Sequence, residues 1–423
     1  MRPRHALLCC ILLAACGAGS TEERPLPAVT LLTTAQWSAG RVQVESEAFR
    51  SLDSLPDFTI AAETLLATRL PAGRVELTLP HLASGLATIV LHRGDDSVVV
   101  GGVQVYGLGA AQVYPINFGH DIVTVPGDRP HFLAMGDSTF SAALLDPTTG
   151  TLQQVFGVSP LQAGGYVVGP LSARYVAQSP GNSVPAVWSL FPAPAHLDTV
   201  PQWDPSLLAL VPLTDSTWLG WNDQSAFALN TASGASTNWT LANTARLVLS
   251  PRGDLATVAG VTQAADPVPV IEVATGGLAF SLGAVTQVAA GTFSPSGDTL
   301  IVAVPGNATD SLRWYETTGG AALASVALPA DVRATHLSID PRNARLVVLA
   351  AARQGSGKAL LVYDRFTRAL EARLQCPAGC AGEAAVLVAE VDTVSNRAWM
   401  VGYGGRWNPA GGGVPVIGFD LLP

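Results

Sequence analysis

The sequence predicts an all-β protein, and three observations lead to that fold class. Short apolar runs alternate with turns that contain Pro and Gly, and one pattern of runs and turns recurs at a spacing of 43 to 44 residues. The 423 residues include 42 Gly and 30 Pro, while 13% are charged and 48% are hydrophobic. Many short strands with tight turns have this composition, whereas disorder needs high charge and few apolar residues. Apolar spacing near 3.6, which a helical repeat requires, is not sustained.

The clearest copy of the repeat occupies residues 291–328. Four apolar runs are separated there by a Pro-Ser-Gly-Asp turn, a polar loop and a Thr-Thr-Gly-Gly turn. Residues 249–254 repeat the first turn 44 residues earlier, and residues 274–277 repeat the second turn 43 residues before residues 317–320. Pro presets φ and Gly accepts φ > 0, so both turns favour hairpins. Four antiparallel strands in a unit of about 40–50 residues predict one blade of a β-propeller.

The spacing also predicts the number of blades. Residues 109–423 number 315, so seven blades would average 45 residues each, close to the observed spacing. The last apolar run ends almost at the C-terminus, so residues 112–118 are expected to supply the outer strand of the final blade and close the ring without open sheet edges. Third strands are predicted near residues 140–145, 186–191, 226–229, 268–273, 312–316, 359–364 and 414–420.

The Ser-Pro-(Ser/Arg)-Gly-Asp and Thr-Gly-Gly positions carry a family resemblance. Through them, residues 109–423 resemble the YVTN and WD40-like propeller repeats of secreted bacterial proteins. The Trp-Asp signature of WD40 blades is missing from this sequence, so the partner preferences of that family are not carried over.

Residues 28–108 have a different pattern. Apolar residues alternate with polar neighbours in short runs, which predicts a half-buried β-sandwich. The alternating positions are Val42 and Val44, then Val75, Leu77 and Leu79, then Ala87, Ile89 and Leu91, then Val103 and Val105. This part of the chain resembles an immunoglobulin-like TIG (IPT) domain, and the resemblance lies in residues 38–42 through 47–49, 77–80 and 84–85. That resemblance implies a spacer or adhesion module, and it brings no active-site residues.

Residues 1–17 are predicted to be a targeting segment. Arg2 and Arg4 precede an apolar run at residues 6–15 that is too short to span a bilayer. The sequence Leu-Ala-Ala-Cys-Gly that follows resembles the lipobox of bacterial lipoproteins, which implies lipidation of Cys16 and a firm membrane anchor. Gly17 favours the outer membrane of a Gram-negative cell, on its periplasmic or its surface side. An ordinary secretory signal cut near Ala18 is the alternative. Residues 18–27 would then form a tether.

Two cysteines remain after residue 17. Cys376 and Cys380 are spaced as Cys-Pro-Ala-Gly-Cys, and export to an oxidising compartment favours a local disulfide between them. A metal pair would need further His, Cys or carboxylate ligands nearby. No His-x-His, His-Glu-x-x-His or calcium-loop pattern occurs in the sequence, so neither a metal nor another cofactor is predicted.

The Gly-rich run at residues 402–413 contains the candidate binding loop. This run includes Tyr403, Arg406, Trp407 and Asn408, and it is longer than a connection between two strands of a blade needs to be. An Arg beside a Trp is frequent among the residues that dominate binding interfaces. The alternative is an insertion without a binding role.

These features together predict a lipid-anchored protein of the cell envelope. Its propeller would be a non-catalytic binding or scaffolding module for an envelope protein or a surface glycan. Nucleic acid is disfavoured as a partner, because the net charge is −9 and phosphate binding needs clustered Lys and Arg. The alternative is an exported propeller enzyme, such as a lactonase-like hydrolase or a quinoprotein. That class predicts convergent carboxylates or histidines, usually with a metal, at one mouth of the channel.

Overall fold

The computed structural model describes residues 26–82, 85–114, 246–260, 266–340, 345–355 and 357–375, with further strands given below and a few adjoining residues. Two 3-10 helices, Glu47–Arg50 and Pro71–Gly73, interrupt an otherwise all-β set of described elements. The predicted all-β class is therefore confirmed. Among the residues described, no helix is long and apolar enough to cross a membrane.

Two sheets lie in the N-terminal part of the chain. One has four strands in the order β1-β3-β7-β6, and the other has five in the order β2-β9-β8-β4-β5. Their strands are β1 (Thr30–Leu31), β2 (Ala35–Trp37), β3 (Arg41–Glu45), β4 (Asp57–Ile60), β5 (Glu63–Thr64), β6 (Leu66–Leu70), β7 (Arg74–Thr78), β8 (Gly85–Arg93) and β9 (Asp96–Tyr106).

The predicted alternation in these strands is confirmed. Every residue of the predicted inward set except Ala87 is buried, with an exposed fraction of 2% or less, whereas Ala87 is half-buried. Side chains alternate between the two faces of a strand, so a period of two places all these residues on one face. Phe49 and Phe58 pack edge to face with their ring centroids 6.0 Å apart, which aromatic pairs prefer to a face-to-face stack.

Seven further sheets follow in the described part of the chain. In six of them four strands pair in chain order, and the seventh takes strands from both ends of the chain. The strands are β10 (Leu108–Tyr114), β11 (Asp121–Val125), β12 (His131–Met135), β13 (Ser141–Asp146), β14 (Thr151–Phe156), β15 (Val168–Gly169), β16 (Arg174–Gln178), β17 (Pro185–Ser189), β18 (Ala195–Thr199), β19 (Ala209–Pro212), β20 (Thr217–Trp221), β21 (Ser225–Asn230), β22 (Ser236–Ala242), β23 (Arg246–Leu249), β24 (Leu255–Ala259), β25 (Gln263–Ala264), β26 (Pro269–Glu272), β27 (Leu278–Ser281), β28 (Ala290–Phe293), β29 (Thr299–Val304), β30 (Ser311–Glu316), β31 (Ala322–Ala327), β32 (Val332–Asp340), β33 (Arg345–Ala352), β34 (Lys358–Asp364), β35 (Leu370–Gln375), β36 (Val386–Asp392), β37 (Arg397–Gly402) and β38 (Val414–Asp420).

Each predicted third strand overlaps the third strand of one of these sheets, where the count in the seventh sheet starts at β36. Those strands are β13, β17, β21, β26, β30, β34 and β38. The short strand β25 is an addition to the predicted pattern, because it joins the outer strand β22 as a fifth member of that sheet.

The seventh sheet has the order β10-β38-β37-β36 and so joins the first and the last strand of the region from residue 108 to residue 420. The structure confirms that the outer strand comes from the N-terminal side, although β10 begins at Leu108 rather than at residue 112. Leu108 pairs with Phe419 and Tyr114 pairs with Val414, with an irregularity in the register between Leu108 and Ala111. A sheet built from both ends is how a propeller closes its ring.

The first hairpin turn of the repeat is fixed by a serine and an aspartate. The Ser294 hydroxyl donates to Asp298 Oδ1 at 2.6 Å, and its oxygen accepts the Thr299 N–H at 3.1 Å. Ser250 and Asp254 form the same bond at 2.5 Å in the preceding sheet. Gly297 has φ +73°, which the turn requires and which only glycine adopts without strain.

The central strand β29 packs against a neighbouring sheet on both faces. In β29, Leu300 and Val302 belong to an apolar cluster shared with the preceding sheet. Ile301 and Ala303, which alternate with them, belong to a cluster shared with the following sheet. All four residues are fully buried. A strand covered on both faces reads as a continuous apolar run, which explains the sequence Leu-Ile-Val-Ala.

The chain divides into two compact units. The smaller unit takes Met1–Thr34, Val42–Thr78 and Ala87–Val103, and the larger takes Ala35–Arg41, Leu79–Leu86 and Gln104–Pro423. The smaller unit holds the Phe49–Phe58 aromatic pair. The larger unit holds the seven propeller sheets and also the segments at residues 35–41 and 79–86.

Candidate functional site

The site residues predicted from sequence lie outside the described residues. These are Cys16, Cys376, Cys380, Tyr403, Arg406, Trp407 and Asn408. Lipidation, the disulfide and the binding loop therefore stay predictions. The described part of the chain instead contains two polar arrangements within the larger unit that sequence reasoning did not find.

The first arrangement is a buried ion pair between neighbouring sheets. The carboxylate of Asp310 is 2% exposed and pairs with the guanidinium of Arg353, of which 11% is exposed. Asp310 also accepts the backbone N–H of Gly306 at 3.2 Å and that of Ala334 at 3.1 Å. Arg353 donates in addition to the carbonyl of Val332 at 3.1 Å. The pair thus ties the loop between β29 and β30 to strands β32 and β33 of the next sheet.

The second arrangement is a pocket of about 260 Å³ inside the larger unit. A turn at residues 37–40 and the imidazole of His81 line one part of it, and Glu371, Ala372 and Arg373 of the outer strand β35 line the rest. The pocket therefore brings together chain segments almost 300 residues apart, which no local sequence pattern can indicate.

The turn at residues 37–40 is held in one conformation. The N–H of Ser38 donates to the Tyr106 carbonyl at 2.8 Å, and the N–H of Gly40 donates to the Trp37 carbonyl at 2.9 Å. The Ser38 hydroxyl accepts the N–H of Leu82 at 2.7 Å. Ala39 has φ +59°, a conformation that costs a non-glycine residue about 1–2 kcal/mol. Strained turns of this kind persist where the surroundings fix them, often at functional sites.

Two arginine–carboxylate pairs set the charge at the pocket. Arg345 Nε donates to Glu371 Oε2 at 2.7 Å, and the Arg345 guanidinium lies 5.7 Å from the centre of the Trp37 ring. Arg373 donates to both carboxylate oxygens of Asp331, at 3.1 and 2.5 Å. The hydrogen bond from Arg373 is the main cause that lowers the pKa of Asp331 below its usual value. Glu371 and Arg373, the carboxylate and the guanidinium that line the pocket, thus each have a partner of opposite charge.

Histidines and acids do not converge elsewhere in the described residues. No group of three or more His, Cys, Asp or Glu there could hold a metal ion. His92 lies 2.8 Å from the hydroxyl of Thr59, in a pair that joins β8 to β4. None of the sites predicted from sequence includes His81, Arg345, Glu371 or Arg373. A comparison of the outer strands of successive repeats is the signal that could have found Glu371 and Arg373.

Comparisons with known proteins support the fold. No protein-family model matches the sequence, and a comparison with curated proteins gives no match. A WD40-type β-propeller chain from a crystal structure of the mitotic checkpoint complex is similar at 8% identity and a TM-score of 0.52, covering 75% of this chain and 93% of that chain.

Two more β-propellers of the same type are similar. The β-propeller domain of Cps50 (Swd1) from Myceliophteria thermophila matches at 12% identity and a TM-score of 0.49, covering 74% of this chain and 99% of that domain. Hydrazine synthase from Kuenenia stuttgartiensis matches at 13% identity and a TM-score of 0.45, covering 69% of this chain and 94% of that chain. At such identities only the fold is shared. The chain has a β-propeller fold, and its neighbours supply no function.

Proposed function

We propose that this protein is a lipid-anchored component of the bacterial cell envelope that acts as a non-catalytic binding or scaffolding module. In this proposal residues 109–423 form a seven-bladed propeller, and residues 28–108 form a TIG-like sandwich that serves as a spacer. The lipidated Cys16 holds the protein at the outer membrane, and a disulfide joins Cys376 to Cys380. The partner is an envelope protein or a surface glycan.

The observation that carries the proposal is the β-propeller fold. Sheets packed on both faces form a rigid body, and all connections between strands emerge at the ends of the strands, where they can contact a partner. The buried Asp310–Arg353 pair shows how such a body is made stiff, since it bonds one loop to the next sheet. Propellers commonly use this construction to bind other macromolecules.

A crosslinking pull-down from native envelope tests the binding role. The full chain carries a C-terminal tag, and the matched bait carries Arg406→Ala and Trp407→Ala in the predicted loop. We expect one stoichiometric envelope protein or glycan partner with the first bait and its loss with the second. If neither bait captures a partner, the binding role is wrong, and the exported propeller enzyme becomes the better hypothesis.

The anchor is tested separately with the Cys16→Ser variant. We expect the natural chain to incorporate a fatty-acid probe and to sediment with membranes, and the variant to do neither. Equal labelling of both proteins would contradict lipidation at Cys16, whatever the pull-down shows.

A further inference from the structure

The pocket beside β35 differs from the corresponding surface of the two preceding sheets. The outer strands β27, β31 and β35 carry the same irregularity, because each has one extra residue between two neighbouring pairs of the register. The three sheets can therefore be compared position by position. The extra residue is Ala279 in the first sheet, Leu323 in the second and Glu371 in the third.

Two more positions of the sheet that contains β35 carry residues different from those at the equivalent positions of the two preceding sheets. Ser281 and Ser325 of the first two sheets correspond to Arg373 of the third, because each lies one residue beyond the pair that follows the bulge. At the start of the second strand, Leu255 and Thr299 correspond to Arg345. Small or apolar residues are thus replaced by a carboxylate and two guanidinium groups in the one sheet that lines the pocket.

These replacements do not serve the packing of the repeat, because the first two sheets form the same strands and the same bulge without them. Glu371 and Arg373 both line the pocket, and Arg345 is bonded to Glu371. The strained turn at residues 37–40 forms another part of the wall, and hydrogen bonds that include those of Ser38 and Ala39 hold it in place. The pocket is therefore lined by the polar side chains of Glu371 and Arg373 together with a turn of fixed conformation at residues 37–40.

The charges favour a ligand without net charge. Glu371 and Arg373 already have partners of opposite charge, Arg345 and Asp331, so an ionic ligand would have to displace a bonded partner. A hydroxyl group, in contrast, can donate to a carboxylate or accept from a guanidinium that keeps its partner. Hydrogen bonds to charged groups are about twice as strong as neutral ones. Two neighbouring hydroxyl groups on one sugar ring can therefore bind side by side, one to the acceptor Glu371 and the other to the donor Arg373.

The size of the pocket limits the ligand. Its volume of about 260 Å³ lies just below the range of about 300–1,000 Å³ that holds drug-sized molecules. Trp37 is 3% exposed, and the Arg345 guanidinium lies near its ring, so the indole contributes little open surface for stacking. The fit is therefore to a single compact polyhydroxylated ring held by hydrogen bonds.

We propose that this pocket binds one neutral sugar residue, with Glu371 accepting from and Arg373 donating to adjacent hydroxyl groups. The inference rests on the proposed binding function and selects the surface glycan from its two partner classes. His81 and the Ser38 side of the turn complete the wall of the site.

Direct binding of free sugars to the full chain tests this site. Saturation-transfer NMR and calorimetry are carried out with glucose, galactose and N-acetylglucosamine as uncharged probes, with glucuronate as an anionic probe and with glycine as a zwitterionic probe that carries one charge of each sign. We expect at least one neutral sugar to bind more tightly than either charged probe. Glu371→Gln and Arg373→Gln should each weaken that binding about tenfold, the effect of losing a hydrogen bond to a charged group.

Matched controls come from the preceding sheet. Leu323→Gln and Ser325→Gln place the same side chain at the same two positions of β31, away from the pocket, and they should leave sugar binding unchanged. The thermal midpoint of each variant shows that it is folded. The proposal is overturned if no neutral sugar binds, if glucuronate or glycine binds best, or if the control variants weaken binding as much as the pocket variants.

The two proposals can fail separately. Capture of an envelope protein in the pull-down, with no sugar bound by the pure protein, overturns the sugar pocket and supports the scaffold function. Sugar binding by the pure protein, with no macromolecule captured from the envelope, supports the pocket and overturns the scaffold function as stated.

Discussion

Single buried residues in this protein carry contacts that reach from one sheet to the next. Asp310 accepts hydrogen bonds from its own loop, from the backbone of Ala334 and from Arg353, so one carboxylate connects three segments. A buried charge is tolerated only when it is paired and fully hydrogen-bonded. Removal of one partner leaves the other desolvated and uncompensated, which is costlier than loss of the attraction itself.

Asp310→Ala should therefore reduce the free energy of unfolding by about 3–5 kcal/mol, the usual effect of breaking a buried pair. The matched control is Asp331→Ala, which removes the carboxylate of a pair that is 59% exposed at Asp331. We expect that control to change stability by about 1 kcal/mol or less. Urea unfolding of both variants measures the difference. Similar losses for the two would show that the buried pair contributes no more than a surface pair.

Tyr363 gives a prediction for alkaline pH. Its side chain is 2% exposed, and burial raises the pKa of the phenol to about 12. In the unfolded chain a tyrosine ionises at about pH 10, so as the pH rises the phenol loses its proton in the unfolded state before it does so in the folded state. The stabilising contribution is fully present below about pH 10 and is lost as the pH rises towards 12.

Two measurements check this contribution. A titration of tyrosinate absorbance should show a component near pH 12 that is missing in Tyr363→Phe. Unfolding experiments above pH 10 should show a steeper loss of stability for the natural protein than for the variant. Equal loss in both proteins would mean that Tyr363 ionises as readily when folded as when unfolded.

At the scale of the element, the hairpin between the third and fourth strands shows how the repeat sets its own geometry. Gly276, Gly320 and Arg368 occupy the same position in three successive hairpins, with φ values of 69°, 73° and 62°. The N–H of each donates to the residue four positions earlier, at 2.8 to 2.9 Å. Glycine adopts this left-handed conformation freely, whereas Arg368 adopts it at a cost.

Gly320 and its neighbour Gly319 provide a matched pair for this hairpin. The backbone of Gly320 has φ +73°, and a Cβ added there would lie 2.5 Å from the Phe280 ring. A Cβ added at Gly319 would have no neighbour within 4 Å. Gly320→Ala should lose at least about 1–2 kcal/mol from backbone strain, and more from displacement of Phe280. Gly319→Ala should change stability by no more than about 0.5 kcal/mol.

Denaturant unfolding of the two glycine variants gives the comparison. If Gly319→Ala is as destabilising as Gly320→Ala, the loss arises from chain entropy or from the turn as a whole. If only Gly320→Ala is destabilising, the left-handed backbone and the contact with Phe280 account for the glycine at this position of the hairpin.

At the scale of the whole molecule, neighbouring sheets depend on each other where a strand buries both of its faces. Strand β29 contributes alternate residues to apolar clusters on either side, so loss of one adjacent sheet exposes its neighbour. The sheet that joins β10 to β38 completes this arrangement with strands from both ends of the chain. Closure by both termini removes unpaired strand edges, which otherwise pair with other molecules.

Deletion of residues 414–423 tests the closing sheet, because it removes β38, the strand that pairs with both β10 and β37. We expect a lower thermal midpoint and concentration-dependent association through the exposed edges of β10 and β37. Deletion of residues 421–423 alone leaves all four strands complete and serves as the control. A shortened chain that unfolds like the control and stays monomeric would show that the closing strand is dispensable.

The amino-acid sequence by itself determined the strands and the turns of this protein. Local chemistry is enough for that, because Gly297 can form its turn only with φ > 0, and the run at residues 299–304 is apolar on both faces. The spacing of such turns also predicted the closing strand within four residues of its observed start. The alternation at Val42 and Val44 likewise indicated which face of β3 is buried.

Only the tertiary structure decided which distant side chains meet. Asp310 and Arg353 are 43 residues apart, and each looks like an ordinary loop residue until the adjacent sheets are packed together. The pocket unites residues 37–40 with Glu371 and Arg373, and its lining depends on which outer strand lies beside that turn. Hydrophobic periodicity specifies faces and registers within a sheet. It carries no information about the partner of a polar residue, because that pairing depends on three-dimensional proximity rather than on spacing along the chain.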